Sequence, residues 1–371
     1  MHGAPALGND ISAQICIFCH RSCCGPGAAP VRPRCGRDWG VQSHRGDLNG
    51  CNLPRPAAQM RKGRRGPHYV QRVKVMSNTQ KIAVLGTGLM GAPMARNLCQ
   101  AGFSTAVWNR TAAKAAALSA FGAVVADHAA EAIAEADIVI SMLSDGPTGA
   151  LVQADQALRA ALRPGTVWVE MGSIKPKEAR AAAEDLAQLN VSYVDAPVSG
   201  GTKGAEEASL AIMAGGAPED FETVAAALSA MGRPVHVGPI GAGQLAKLAN
   251  QAIVGVTIAA VAEAMLMLQK GGADPAAVRA ALKGGFADST ILQLHGARMT
   301  NMEFTPGGLC ALQLKDLNNA LAEAGSFGLS LPTLQNTRDR FDHLVHEMDG
   351  AGLDHAALYL ELLARNGLTA E

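Results

Sequence analysis

Short apolar runs alternate with helical patterns through the middle of this chain. Residues 82–85 are an apolar run that reads as a buried strand, and a helical pattern starts directly after three closely spaced glycines. The alternation continues downstream. Residues 104–108, 137–143, 166–170 and 191–195 read as strands, and residues 112–120, 148–162 and 177–189 read as helices between them. Strands alternating with helices predict a mostly parallel, doubly wound α/β sheet. From Gly241 the period changes. A long helical stretch runs to about Lys270, and residues 275–282, 290–299, 309–324, 332–348 and 354–364 read as further helices.

Residues 1–75 do not join this pattern. They hold no sustained period, are broken by Pro and Gly, and read as a disordered leader upstream of Met76, a natural start for the sheet region. Charge separates the two parts. The leader has twelve Lys or Arg against three acids, leaving 20 basic and 29 acidic residues, a net of −9, in the remainder. Six of the eight cysteines also lie in the leader, and only Cys99 and Cys310 lie in the body. The body therefore reads as a reduced, cytoplasmic protein without disulfides, or a mitochondrial one if the leader is a transit peptide. Cys16, Cys19, His20 and Cys23 lack a second ligand pair at finger spacing. Net charge is zero and no uninterrupted apolar run reaches about 18 residues, so neither nucleic acid nor membrane is an expected partner.

The chemistry begins at Gly86, Gly88 and Gly91, spaced G-x-G-x-x-G between strand and helix. Gly86 permits a tight turn, Gly88 lets the backbone approach a pyrophosphate, and Gly91 lets the helix pack on the strand. Leu89 and Met90 complete this loop as cofactor-facing residues. The second strand ends in Asn109, Arg110 and Thr111, with no acid to bind ribose hydroxyls. These three offer donors to a 2′-phosphate, so NADP(H) is preferred and NAD(H) is second. Leu143 and Ser144 end the next strand at a cofactor-facing loop, and Ser173 either donates to the cofactor or caps the following helix. In DAPVSGG, Ser199, Gly200 and Gly201 form a turn whose hydroxyl and N–H groups can hold a substrate carboxylate. In GAGQLAKLANQ, Lys247, Asn250 and Gln251 share one helix face. Lys247 is then either a core-edge lysine or a catalytic acid, with Asn250 and Gln251 positioning it or binding substrate.

Four ordered blocks, GTGLMGAPMARNL, DAPVSGG, GAGQLAKLANQ and the run from Phe304-Thr305-Pro306-Gly307 to Leu314-Lys315-Asp316-Leu317, resemble the β-hydroxyacid dehydrogenases over residues 80–368. The resemblance implies a Rossmann-type sheet domain at 80–240, followed by an all-α domain at 241–368 joined by the long helix. It implies an NAD(P)-dependent oxidoreductase moving hydride between nicotinamide and a short 3-hydroxy acid, working as a homodimer or homotetramer. It makes Lys247 catalytic, places Lys315 near the nicotinamide, and lets Asp316 orient either Lys315 or the domain interface. No metal is implied, and His128, His236 and His295 show no ligand spacing. Within the family, KLANQ and residues 284–292 look most like the tartronate semialdehyde reductase branch. The 3-hydroxyisobutyrate branch commonly carries Asn where this chain has Gln251, and succinic semialdehyde is a further candidate substrate. Imine reductases and non-catalytic dinucleotide-fold relatives usually lose the lysine that this chain keeps at 247.

Overall fold

The computed structural model describes residues 79–369. Expectations for the leader, residues 1–75, lie outside the described residues. Nine strands form one sheet among the described residues: β1 (Lys81–Leu85), β2 (Ser104–Trp108), β3 (Val124–Val125), β4 (Ile138–Ser141), β5 (Val167–Glu170), β6 (Ser192–Asp195), β7 (Val198–Ser199), β8 (Leu210–Gly215) and β9 (Gly232–Gly238). Their order is β3-β2-β1-β4-β5-β6-β8-β7, with β9 also paired to β8. The first six strands run parallel, β8 runs antiparallel to β6 and β7, and β9 runs parallel to β8. The chain winds outward from β1 in both directions, so the switch point lies between β1 and β4. Ligands of such sheets bind beyond the strand ends at that crevice.

Burial explains why the central strands are continuous apolar runs. All four residues of β4 and of β5 are buried, because helices cover both faces. One face packs Ile82, Val84, Ile138 and Ile140 against Met94 and Leu98 of α1 (Gly91–Gln100) and Val224 of α8 (Pro218–Ser229). The other packs Leu85, Val139 and Trp168 against Ile133 of α3 (Ala129–Ile133), Leu158 of α5 (Gln156–Ala161) and Leu186 of α6 (Pro176–Ala187). Each such side chain contributes about 1.5–3 kcal/mol.

Two expectations need correction. The helix predicted over 148–162 is two helices, α4 (Gly146–Gln153) and α5, because Asp155 accepts from the Leu158 N–H and caps a new start. The helix predicted over 112–120 is α2 (Ala112–Ala116) continued by a 3-10 turn. The stretch between the Ser-Gly-Gly turn and Gly241, for which no element is predicted above, holds α7 (Gly201–Glu206), β8, α8 and β9. Burial along β9 is no deeper than intermediate, so its sequence lacks an apolar run.

The long helix is α9 (Ala242–Lys270). Although no uninterrupted apolar run marks it, α9 is long and apolar enough to cross a membrane by length and composition alone. It is instead the spine of the helical region, α10 (Pro275–Leu282), α11 (Thr290–Thr300), α12 (Cys310–Ser326), α13 (Pro332–His346) and α14 (Leu358–Arg365). Ile258 and Met265 of α9 share a core there with Leu317, Phe341 and Tyr359. Arg340 of α13 donates to Glu361 of α14 and Glu263 of α9, both at 2.9 Å, fixing those three helices in register.

Two buried acids lie at the sheet's carboxyl end. Burial pushes the Glu170 carboxyl up to about 7, against the Gly172 N–H at 2.9 Å that favours its charged form. Burial likewise pushes Asp195 to about 6. Both hold their protons more tightly in the folded than in the unfolded chain. The stability they contribute is therefore complete at low pH and is lost as pH rises through about 6 and 7. Glu170→Gln removes the larger share. Denaturant titrations between pH 5 and 8 are expected to show wild-type stability falling more steeply than the variant's, by about 3 kcal/mol at most.

Candidate active site

The glycine-rich loop leaves β1 at the switch point. Gly86 has φ +98°, and a Cβ there would lie 2.4 Å from the Met142 carbonyl oxygen. A Cβ at Gly91 would lie 1.9 Å from the Gly86 carbonyl oxygen. Gly88 differs, since a Cβ there meets no protein atom within 4 Å and would fill open cleft instead. That is the position where the sequence expects a pyrophosphate. The cleft beside it has a volume of about 910 Å³. Its lining brings together the expected Gly86, Gly88, Leu89, Met90, Gly91, Asn109, Arg110, Thr111, Leu143 and Ser144. The volume and the open backbone at Gly88 fit a dinucleotide.

Asn109 is differently employed than expected. Its Oδ1 accepts from the Thr87 N–H at 3.0 Å and its Nδ2 donates to the Thr111 carbonyl at 3.0 Å. It braces the glycine loop against the end of β2, leaving Arg110 and Thr111 as the donors of that set. Lys114, one turn into α2, lines the same cleft and was missed. Its signal was its helical spacing from Arg110. The Ser144 hydroxyl bonds Asp145 and Thr148, and Asp145 accepts from the Thr148 N–H at 2.8 Å to cap α4. That backbone bond, then the Thr148 hydroxyl, holds Asp145 below the usual carboxylate range. Burial opposes the shift, while Ser144 and finally the Lys315 charge add to it.

Ser173 and Lys315 do not line this cleft. Ser173 is also not the helix cap, because α6 begins at Pro176 with Lys175 in the cap position. Its loop is instead held by α9. Gln244 Nε2 donates to the Gly172 carbonyl at 2.8 Å, and Gln244 Oε1 accepts from the Ile174 N–H at 3.1 Å.

One turn further along α9 stands Lys247. Its Nζ donates to Gln251 Oε1 at 3.1 Å, and Asn250 Nδ2 donates to the same oxygen at 2.8 Å. Gln251 Nε2 donates to Gln313 Oε1 at 3.3 Å, and Gln313 Nε2 returns a bond to the Gln251 carbonyl at 3.0 Å. The Gln251 amide thus links Lys247, Asn250 and Gln313. Gln313, 2 % exposed on α12, was missed by sequence reasoning. Its signal was a polar residue on an otherwise apolar helix face. Burial lowers the Lys247 pKa, the Asp316 charge opposes this, and the Lys315 charge adds to it. Lys315 Nζ lies 3.5 Å from Asp316 Oδ1. Lys315 therefore acts electrostatically on both the cofactor-side Asp145 and Lys247.

Asp195, four residues before Ser199, meets the start of α9. Asp195 is fully buried, and its two oxygens accept from the Gly241 and Gln244 N–H groups, each at 2.7 Å. Ser199 closes β7, Gly200 has φ +137° and Gly201 has φ +62°. A Cβ on Gly201 would meet nothing within 4 Å, so the backbone there faces open space. The fourth block is stapled by Asp354. It accepts from the Gly307 and Gly308 N–H groups at 2.9 and 3.1 Å and from the Ala356 N–H at 3.0 Å, and it pairs with Arg298 at 2.6 Å. His295 and His355 flank this carboxylate, an approach that linear spacing concealed. The guanidinium and three N–H groups already occupy it, so the cluster is a brace for the loop entering α12.

Comparison with known proteins agrees with this geometry. Residues 81–241 match the model for the NAD binding domain of 6-phosphogluconate dehydrogenase. Residues 241–362 match the model for the NAD-binding region of NADP-dependent 3-hydroxyisobutyrate dehydrogenase. The chain is 41 % identical over 293 residues to a 2-hydroxy-3-oxopropionate reductase of Escherichia coli K12, covering 78 % of this chain and 99 % of the relative. It is 34 % identical to a 3-hydroxyisobutyrate dehydrogenase of Pseudomonas aeruginosa, covering 75 % and 96 % respectively. Among solved structures, a Mycobacterium tuberculosis 3-hydroxyisobutyrate dehydrogenase with L-serine superposes with a TM-score of 0.71 at 32 % identity, covering 76 % of this chain and 99 % of that one.

The glycines give a contrast that separates fold from ligand. Gly91→Ala is expected to lower the melting temperature by several degrees, because its methyl would strike the Gly86 carbonyl. Gly88→Ala is expected to keep the wild-type melting temperature yet weaken NADPH binding at least tenfold in a fluorescence titration.

Proposed function

Because the chain belongs to the 3-hydroxyisobutyrate dehydrogenase family of NAD(P)-dependent hydroxyacid dehydrogenases, we propose that it reduces tartronate semialdehyde (2-hydroxy-3-oxopropionate) to the matching 2,3-dihydroxy acid, and oxidises that product in reverse. The observation that carries this reading is Lys247, a lysine withdrawn from water, bonded to Gln251 and flanked by Lys315 and Asp316. The 41 % identity to a relative of that name supports the substrate choice, as does Gln251 in KLANQ.

When bound, the nicotinamide supplies or takes the hydride. The residues do the rest. The Lys247 ammonium polarises the aldehyde oxygen and donates a proton to it as negative charge builds. In the oxidative direction its neutral amine accepts the hydroxyl proton, which a pKa below the usual lysine range favours. Gln251, held by Gln313, fixes the ammonium in place. The Ser199 hydroxyl and the Gly200 and Gly201 N–H groups hold the substrate carboxylate, limiting the rotation of the reacting carbon. NADPH is the preferred reductant in this proposal. Arg110, Thr111 and Lys114 border the cleft where an acid would otherwise bind ribose hydroxyls.

Three experiments test this. Lys247→Ala should lose about 10²–10⁴-fold in turnover while NADPH binding stays within twofold. Near-normal turnover would remove Lys247 from the chemistry. Steady-state rates with tartronate semialdehyde, methylmalonate semialdehyde and succinic semialdehyde should then rank the first highest, and a different leader reassigns the substrate. For the coenzyme, Arg110→Ala should raise the KM for NADPH about tenfold or more and leave that for NADH nearly unchanged. Equal effects on both would place Arg110 away from the 2′-phosphate.

A further inference from the structure

A second cavity, of about 610 Å³, shares no lining residue with the cofactor cleft. The helix α4 separates them. Gly146, Gly149, Ala150 and Gln153 face the second cavity, whereas Thr148, Leu151 and Val152 face the cofactor cleft. The two sets are offset by two residues, about 200° around a helix, so they lie on opposite faces. The cavity exists because its walls are small. Across from Gly149 and Ala150 on α4 stand Ala181 and Ala182 on α6.

Two polar residues that the proposed chemistry does not use also line this cavity. Glu170 is 3 % exposed and Tyr193 is 2 % exposed. One Glu170 oxygen accepts from the Gly172 N–H, and the other would lie 3.9 Å from a Cβ on Gly149, at the cavity wall. The Tyr193 hydroxyl is buried without a hydrogen-bond partner. A buried polar atom without a partner is costly and calls for one. The remaining charged lining is Glu178, Asp185 and Arg159, and Arg159 already pairs with Asp185. Acidic groups therefore exceed available cations.

We propose that this cavity is a ligand site for a primary ammonium ion carrying a short apolar tail. Its N–H groups donate to the Glu170 carboxylate and to the Tyr193 hydroxyl oxygen, and its tail lies along Ala150, Ala181 and Ala182. Because α4 also walls the cofactor cleft, occupancy is linked to cofactor affinity, and the linkage is reciprocal. The groups facing Glu170 are Ser141 on β4, Trp168 on its own strand, Asp195 and Tyr193 on β6, and Glu178 of α6 nearby. Burial holds Glu170 protonated up to about pH 7, so a cation must displace that proton. Affinity therefore rises with pH and levels off above neutrality.

Titration calorimetry of the intact chain with n-propylammonium chloride is expected to show one saturable site, about tenfold tighter at pH 8 than at pH 6. Matched titrations with 1-propanol and sodium propionate should not saturate. Ala182→Leu crowds the wall along which the tail lies and should weaken ammonium binding at least tenfold while leaving turnover unchanged. Glu170→Gln should weaken binding at pH 8 at least tenfold and remove its pH dependence. The absence of a saturable site, equal binding of alcohol or propionate, or unchanged binding in a folded Ala182→Leu variant overturns the proposal. Should Ala182→Leu fail to fold, Glu170→Gln decides, and a pH response that survives it overturns the site. Saturating n-propylammonium should shift the NADPH Kd at least twofold. An unchanged Kd in a protein that binds both overturns the linkage through α4, and a protein that binds no NADPH at all instead overturns the cofactor reading.

Discussion

A single buried carboxylate holds the two halves of this protein in working relation. Asp195 ends the parallel part of the sheet and takes the first N–H groups of a 29-residue helix on its two oxygens. A helix start carries unsatisfied donors and a partial positive charge, so a buried anion there satisfies both partners at once. Close approach is part of the same interaction. A Cβ on Gly243 would lie 2.3 Å from the Asp195 carbonyl oxygen, and one on Gly215 would lie 2.7 Å from its side chain. The glycines of GAGQ are therefore consequences of Asp195 as much as features of their own.

From that anchor, the first three turns of α9 distribute the rest of the site. Gln244 holds the loop after β5, Lys247 donates to Gln251, and Gln251 meets Gln313 of α12. The strand-end loops and the helical region are thus referred to one rigid rod. That arrangement keeps Lys247 in fixed relation to the loop after β5, which a different element carries. It also explains the electrostatics of Lys247. A lysine on this rod is withdrawn from water by the helices around it, and Lys315 and Asp316 of α12 act on it in opposite directions.

Hydrogen bonding within the site divides residues that resemble one another in sequence. Asn109 looks like a ligand donor beside Arg110 and Thr111, yet both ends of its amide are spent on backbone groups of the loop. Gln251 looks like a substrate group, yet its amide links Lys247, Asn250 and Gln313. Asp354 and His295 share a cluster, yet Asp354 already accepts from three backbone N–H groups.

Local physics determined much of this protein from the chain alone. The glycine spacing, the doubly buried strands and the apolar helical periods are set by neighbours within a few residues, so β1, β2, β4 to β6 and the helices from α9 onward were legible. The shared face of Lys247 and Gln251 was legible for the same reason, because 3.6 residues per turn fixes it. The segment from α7 to β9 was not, since its edge strands and short helix carry no strong period. Neither was the split between α4 and α5, which turns on one capping aspartate. Tertiary structure decided which polar residues face ligand and which face protein. That choice depends on groups distant in sequence, Asp195 with Gly241, Gln251 with Gln313 and Gly172 with Gln244, which only the packed fold brings within bonding distance.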